Sequence, residues 1–236
     1  MQDAGTFLLG VGAQKTGTTW LHGYLSCFPE VDFGAFKEYH IWDAILTDIF
    51  PKLRITEGAL VAARRRGDLR QKQLRYAMQN VPGFYEFYFR RLLDTKCRIT
   101  GDITPSYSSL SAEAYADVRR RMESVGAKVK VVFIMRDPFE RIWSEVRMYQ
   151  KKRLRKGFAR EDMPSNEAHL LSMYAARATV ARTDYCRTIE SLEQAFDPGQ
   201  IMYLIYEDMF RRESLDQIAD FFGVGVDCLL YTSPSP

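Results

Sequence analysis

The chain is short of cysteine, histidine, unbalanced charge and long apolar runs, and each shortage closes off a class of protein. Its 236 residues include four cysteines, Cys27, Cys97, Cys186 and Cys228, with no Cys-x-x-Cys pair and no metal-ligand spacing. A disulfide-stapled miniprotein and a structural zinc module are therefore excluded, and the cysteines read as unbridged, mostly buried thiols. Lysine plus arginine (33) exceeds aspartate plus glutamate (30) by three charges, too little to argue for a nucleic-acid partner. No stretch approaches the roughly 18–20 uninterrupted apolar residues of a membrane span. The first five residues carry neither the basic nor the apolar region of a signal peptide. With 46% hydrophobic and 13% aromatic residues, what is present is an ordinary globular composition, long enough for one sizeable domain. No internal repeat or low-complexity linker divides it.

Five short apolar runs read as strands, at residues 6–11, 31–33, 98–103, 129–135 and 201–206. Between them lie helical patterns. Ser111 caps a segment with Tyr115, Val118 and Met122 on one face, and Gly126 ends it. Residues 166–196 repeat apolar positions at Leu170, Tyr174, Ala178, Tyr185, Ile189, Leu192 and Phe196, and residues 214–222 form a last short helix. Continuous apolar strands alternating with helices indicate an α/β domain: a mostly parallel central sheet flanked by helices. In such sheets ligands sit at the carboxyl ends of strands.

The last nine residues differ from the rest. Residues 228–236 contain two prolines, no charge and no helical or strand pattern. They match the in-frame translation of a transposase-type sequencing adapter, so the domain is taken as residues 1–227, incomplete at its C-terminus, with 228–236 as an artefact of sequencing rather than of folding.

The first strand runs through Gly12 into Ala13-Gln14-Lys15-Thr16-Gly17-Thr18-Thr19 and then a helix. Successive N–H groups of such a turn and the helix N-terminus form an anion cradle. A nucleoside-triphosphate loop, G-x-x-x-x-G-K-[ST], shares the Gly12–Gly17 spacing, but Thr18 stands where its lysine belongs and Lys15 lies inside the loop. Lys15-Thr16-Gly17-Thr18-Thr19-Trp20-Leu21 instead resembles the 5′-phosphosulfate loop of sulfotransferases, close to K-x-G-[ST]-[ST]-x-L. A second element agrees. The run 129–135 leads into Arg136-Asp137-Pro138, and Ser144 follows eight residues after the arginine. This is similar to the family's 3′-phosphate element, in which a guanidinium fork matches a phosphate; the plain alternative has Arg136 pairing with Asp137 or capping a carbonyl.

The resemblance covers residues 7 to about 224. It implies the P-loop-like sulfotransferase fold and 3′-phosphoadenosine 5′-phosphosulfate (PAPS) as co-substrate, with no metal. Lys15, Thr16, Gly17, Thr18, Thr19 and Trp20 would bind the phosphosulfate end, and Arg136 and Ser144 the 3′-phosphate. Residues 201–209, with Tyr206-Glu207-Asp208, look like the family's late strand and read as structural, Asp208 holding the following loop. The glycine-rich basic loop that normally closes over the co-substrate has no counterpart after Phe222.

Lys37-Glu38-Tyr39-His40-Ile41 is similar to the K-E-x-H element of carbohydrate sulfotransferases. The resemblance implies Glu38 as general base toward an acceptor hydroxyl, its pKa raised in a partly dry site. Lys15 would neutralise or protonate the bridging oxygen, with Lys37 assisting. His40 competes for the base role, which a histidine fills in sulfotransferases of small phenols and alcohols. Gly101-Asp102-Ile103-Thr104-Pro105-Ser106-Tyr107 resembles the segment lining the acceptor side, making Asp102 and Tyr107 candidate substrate contacts or simply a turn with a packed tyrosine.

Two basic runs remain, Arg64 to Arg66 with Arg70, Lys72 and Arg75, and residues 151–156. They read as solvated helix faces or as a docking surface for an acidic acceptor such as a sulfated glycan, and no nucleic-acid motif accompanies them. The reading is a PAPS-dependent sulfotransferase acting on a hydroxyl, on a carbohydrate before a small phenol. Its alternatives are a P-loop kinase or NTPase and a non-catalytic glycan-binding module. A chain starting at Met1 would be cytoplasmic, and the same domain behind a membrane anchor would be Golgi-lumenal.

Overall fold

The structure, a computed structural model, describes residues 4–225 except Gly67 and Lys96; the adapter-like segment 228–236 lies outside the described residues. Four strands, β1 (Thr6–Gly12), β2 (Ile99–Ile103), β3 (Lys128–Met135) and β4 (Ile201–Ile205), form one sheet in the order β2-β1-β3-β4. Every neighbouring pair is parallel.

Eleven α-helices are described: α1 (Thr18–Leu25), α2 (Trp42–Ile45), α3 (Glu57–Arg66), α4 (Leu69–Asn80), α5 (Phe84–Leu93), α6 (Ala112–Ser124), α7 (Pro138–Arg155), α8 (Asn166–Tyr174), α9 (Arg177–Thr183), α10 (Tyr185–Ala195) and α11 (Arg212–Phe222). β1 and most of β3 are apolar because both of their faces are covered. Phe7, Leu9, Val11, Val129, Val131 and Phe133 face one core with Phe89, Tyr115, Val118 and Leu192. Leu8, Val132 and Ile134 face the other with Leu21, Leu25, Ile218 and Phe222. The period of two along each strand sorts its side chains between the two cores.

Three expectations change. Residues 31–33 do not form a strand; Val31 makes one isolated bridge to Ile99. The chain turns immediately, with the Gly34 N–H donating to the Asp32 carboxylate (2.8 Å) and Gly34 at φ +71°, so no ladder propagates. The pattern over 166–196 is three helices. Ala176 is extended, and the Asp184 carboxylate accepts from the Arg187 N–H, capping α10. Tyr174, placed on its apolar face by the pattern, is 70% exposed. The cysteines are also not mostly buried: Cys97 is, but Cys27 and Cys186 are exposed, and Cys228 lies outside the described residues.

Candidate active site

The sheet order explains why two distant sequence elements meet. From β1 the chain crosses to β2 on one side and then to β3 on the other, so the adjacent β1 and β3 flank the switch point, where their carboxyl ends open a crevice. The turn after β1 begins beside β3, with the Ala13 N–H donating to the Ile134 carbonyl (2.7 Å). Gly12 is required here, because a Cβ would lie 2.5 Å from the Pro105 carbonyl oxygen. Gly17, at φ +89°, is the N-cap of α1 and packs against Met209 and the Tyr206 ring.

A cleft of about 680 Å³ opens at this point, lined by Lys15, Gly17, Thr18, Thr19, Trp20, Arg136 and Ser144 together with Gln14, Lys37, Glu38, Pro105, Met148 and Tyr206. Both sequence-predicted anion elements and the candidate base thus line one cavity. Thr16 does not. It is fully buried, and its hydroxyl donates to the Ala13 carbonyl (2.6 Å), fixing the turn from inside.

Arg136 leaves the end of β3 with its guanidinium 4.4 Å from the Tyr206 ring centroid. It pairs with Glu140 (3.3 Å) and Glu207 (3.8 Å) rather than with Asp137, which instead caps α7. Its Nε is buried with no hydrogen-bond partner. Burial lowers the pKa of the Lys15 ammonium; Glu145 opposes that shift, and Arg136, Arg147 and Lys151 add to it.

Glu38 sits on a loop that long-range hydrogen bonds shape. Asp102, at the end of β2 and fully buried, accepts from Thr104 (2.6 Å), Tyr107 (2.7 Å), Tyr85 (3.1 Å) and the Tyr39 N–H (3.3 Å). The Tyr107 hydroxyl in turn receives the Ile41 N–H (3.1 Å). Arg75 donates to the Glu38 carbonyl (2.7 Å) and Gln79 to the His40 carbonyl (2.9 Å). Asp102 and Tyr107, read as substrate contacts or as a turn with a packed tyrosine, are fully enclosed, and their hydrogen bonds hold this loop. Burial lifts the Asp102 carboxyl to about 6 against those hydrogen bonds. Arg75 belongs to this scaffold too, so the first basic run is not solely a solvated face.

At the tip, Lys37 Nζ bridges Glu38 Oε1 (2.8 Å) and the Thr18 hydroxyl (3.0 Å), joining the base to the anion loop. His40 contacts Glu38 Oε2 (3.4 Å) and Asp43 (2.7 Å), and Ser106 donates to the same Asp43 oxygen. Burial opposes charge on Glu38, yet its contacts with His40 and Lys37 win and hold the carboxyl at about 2. The expectation that a partly dry site raises its pKa is therefore corrected. Burial likewise opposes charge on His40, but its two carboxylate partners lift it to about 9.

Beyond Glu38 a second cavity, about 560 Å³, shares Gln14, Glu38 and Pro105 with the cleft. Sequence reasoning missed Gln14, Tyr206, Asp43 and Arg182. Tyr206 directly follows β4, where strand-end logic could have found it. Arg182 carried no local signal.

Residues 6–230 match the family model described as the sulfotransferase domain. A sulfotransferase from Alicyclobacillus acidocaldarius has a similar fold at TM-score 0.59 and 20% identity, over 98% of this chain and 86% of that one. The sulfotransferase domain from the curacin biosynthetic pathway matches at TM-score 0.57 and 16% identity, over 98% of this chain and 79% of that one. The comparison with curated proteins gives no match.

Proposed function

The chain belongs to the sulfotransferase domain family, and from that premise we propose that it moves a sulfuryl group from PAPS to an acceptor hydroxyl with Glu38 as the base. The observation that carries this reading is the shared cleft. Three cations (Lys15, Lys37, Arg136), three hydroxyls (Thr18, Thr19, Ser144) and two aromatic rings (Trp20, Tyr206) line it, a donor set suited to an adenylate bearing several anionic groups. The Arg136 Nε, which makes no hydrogen bond and has only the long Glu207 ion pair, supports the same fit.

PAPS supplies the activated sulfuryl group and a phosphate leaving group. Lys15 and the N–H groups around Gly17 hold the phosphosulfate, Arg136 and Ser144 the 3′-phosphate. Glu38 takes the acceptor proton as the new oxygen–sulfur bond forms and the bond to the phosphate oxygen breaks. Lys15 neutralises the charge left on that oxygen. At about 2, Glu38 is a weak base while Lys37 and His40 hold it. Turning Lys37 toward the transferring group removes one of these holds, and burial then strengthens the base as needed. His40 at about 9 is protonated at neutral pH, which favours Glu38 over His40 as the base.

The likeness of residues 37–41 to the carbohydrate enzymes is the one argument for a carbohydrate acceptor, and the chemistry of the cavity beyond Glu38 argues against it. The rival P-loop kinase reading would place Mg²⁺ at the Thr18 hydroxyl, where the Lys37 ammonium already sits. Titration with 3′-phosphoadenosine 5′-phosphate in EDTA, and with ATP plus Mg²⁺, tests this: metal-free binding of the former supports the proposal, and selective binding of the latter refutes it. Labelled-sulfate transfer to an acceptor panel separates an enzyme from a glycan-binding module.

A further inference from the structure

The cavity beyond Glu38 has a chemistry of its own. Most of its wall is apolar surface, with Ile49, Phe50, Pro51, Leu53 and Pro105 among the lining residues. A sugar ring needs a partner for nearly every hydroxyl, since a buried polar group left unpaired is costly. Most polar groups here are already engaged: His40 lies between Glu38 and Asp43, the Ser106 hydroxyl donates to Asp43, and Gln14 Oε1 accepts from Arg182 (3.0 Å).

Two cations stand in this apolar wall. Arg182 is stacked over Phe50 (4.7 Å to the ring centroid), and its Nη1 is bound to Gln14 and Glu145. Its Nε is buried with no hydrogen-bond partner among the described residues. Lys52, exposed at the rim, has no acidic partner among them either. The carboxylates near the reacting end are matched by Lys37 and His40, and Arg182 shares Glu145 with Arg141, so the cavity is left with positive charge and apolar surface.

Resting on the sulfotransferase reading above, we propose that this cavity binds the acceptor and that the acceptor is a hydroxylated carboxylic acid with an apolar body. Its hydroxyl meets Glu38, its ring or chain lies against Phe50 and Leu53, and its carboxylate faces Lys52 and Arg182. A volume of about 560 Å³ falls within the range of small-molecule sites, roughly 300–1,000 Å³.

The test uses the full chain saturated with 3′-phosphoadenosine 5′-phosphate and a fluorescent probe, 6-hydroxy-2-naphthoate, against its neutral primary amide and a cello-oligosaccharide. The acid should bind about tenfold tighter than the amide, and the oligosaccharide at least tenfold more weakly than either. Lys52→Glu, a surface change that leaves folding intact, should bring the acid-to-amide ratio to one or below, and Phe50→Ala should weaken both. Equal binding of acid and amide, an unchanged ratio in Lys52→Glu, or preference for the oligosaccharide overturns the inference. Binding is read without turnover, so failure of the naphthoate while 3′-phosphoadenosine 5′-phosphate still binds sinks this inference alone. Failure of the latter sinks the co-substrate reading as well.

Discussion

The two sides of the cleft are built in opposite ways. The proposed anion side is local: the five residues between Gly12 and Thr18 make the turn, and its partner Arg136 follows the neighbouring strand. The acceptor side is assembled from afar. The Glu38 loop is held by Asp102, Thr104 and Tyr107 from the end of β2 and by Arg75 and Gln79 from α4, and its pocket borrows Arg182 from α9. A side built locally tolerates change elsewhere in the chain, whereas one built from long-range hydrogen bonds is lost with any of its anchors.

The largest effects should come from the reacting groups themselves. Glu38→Gln is expected to lower kcat by about 10²–10⁴ and Lys15→Ala by about 10²–10³. The melting temperature should move little in Lys15→Ala, whose Nζ contacts Met148 Sδ (3.7 Å), and should fall in Glu38→Gln, which loses the ion pairs with Lys37 and His40. Near-wild-type turnover in both would remove the proposed chemistry.

Asp102→Asn tests the long-range side. The amide cannot accept from all four donors, so buried hydroxyls lose their partner, at a cost of about 3 kcal/mol. For a domain of this size that is roughly a 10 °C fall in Tm, with acceptor KM rising more than the affinity for 3′-phosphoadenosine 5′-phosphate falls. Equal damage on both sides would show that the two halves are not separable.

The pH dependence is subtler. The His40 pKa is raised in the fold to about 9, so its stabilising contribution is complete below about 6.5 and fades as pH rises through 9. Glu38 is depressed to about 2, so its contribution is complete above about 4.5 and is lost only as pH falls through 2. Denaturant melts from pH 6 to 10 should show the alkaline loss, and His40→Asn should abolish it. Lys37→Ala should raise the Glu38 pKa, since burial then faces one fewer opposing contact; a carbon-13 carboxyl titration reads this directly. The smallest effect is Lys72→Ala. Its pairing with Asp68 spans 4.0 Å at the surface, and its loss should change stability by less than about 0.5 kcal/mol.

The anion loop was legible because its chemistry and its geometry come from the same few residues. Gly12, Lys15, Gly17 and Thr18 lie within seven consecutive residues, and the strand-then-helix context follows from periodicity. Arg136 and Ser144 were legible by resemblance and because Pro138 marks the helix start. The supposed strand at 31–33 failed because three apolar residues carry no information about the turn that ends them. Residues 166–196 were misread because their apolar spacing runs through Ala176 and Asp184, where backbone geometry and a cap break the helix. Asp102 and Tyr107 were found, but whether they face substrate or pack inside stayed open, since a sequence shows that a carboxylate is present and not which way it faces.

By itself the sequence determined the α/β class, the parallel sheet and the strand–turn–helix proposed to bind the anion, because these depend on local periodicity and on residues near one another in the chain. Only the tertiary structure decided that Lys37 bridges Glu38 to Thr18, that His40 and Lys37 hold Glu38 near 2, and that Arg182 stacks over Phe50 in the cavity beyond. Charge strength and pocket chemistry depend on burial and on partners brought together by the fold, often from far along the chain, and linear order does not record those contacts.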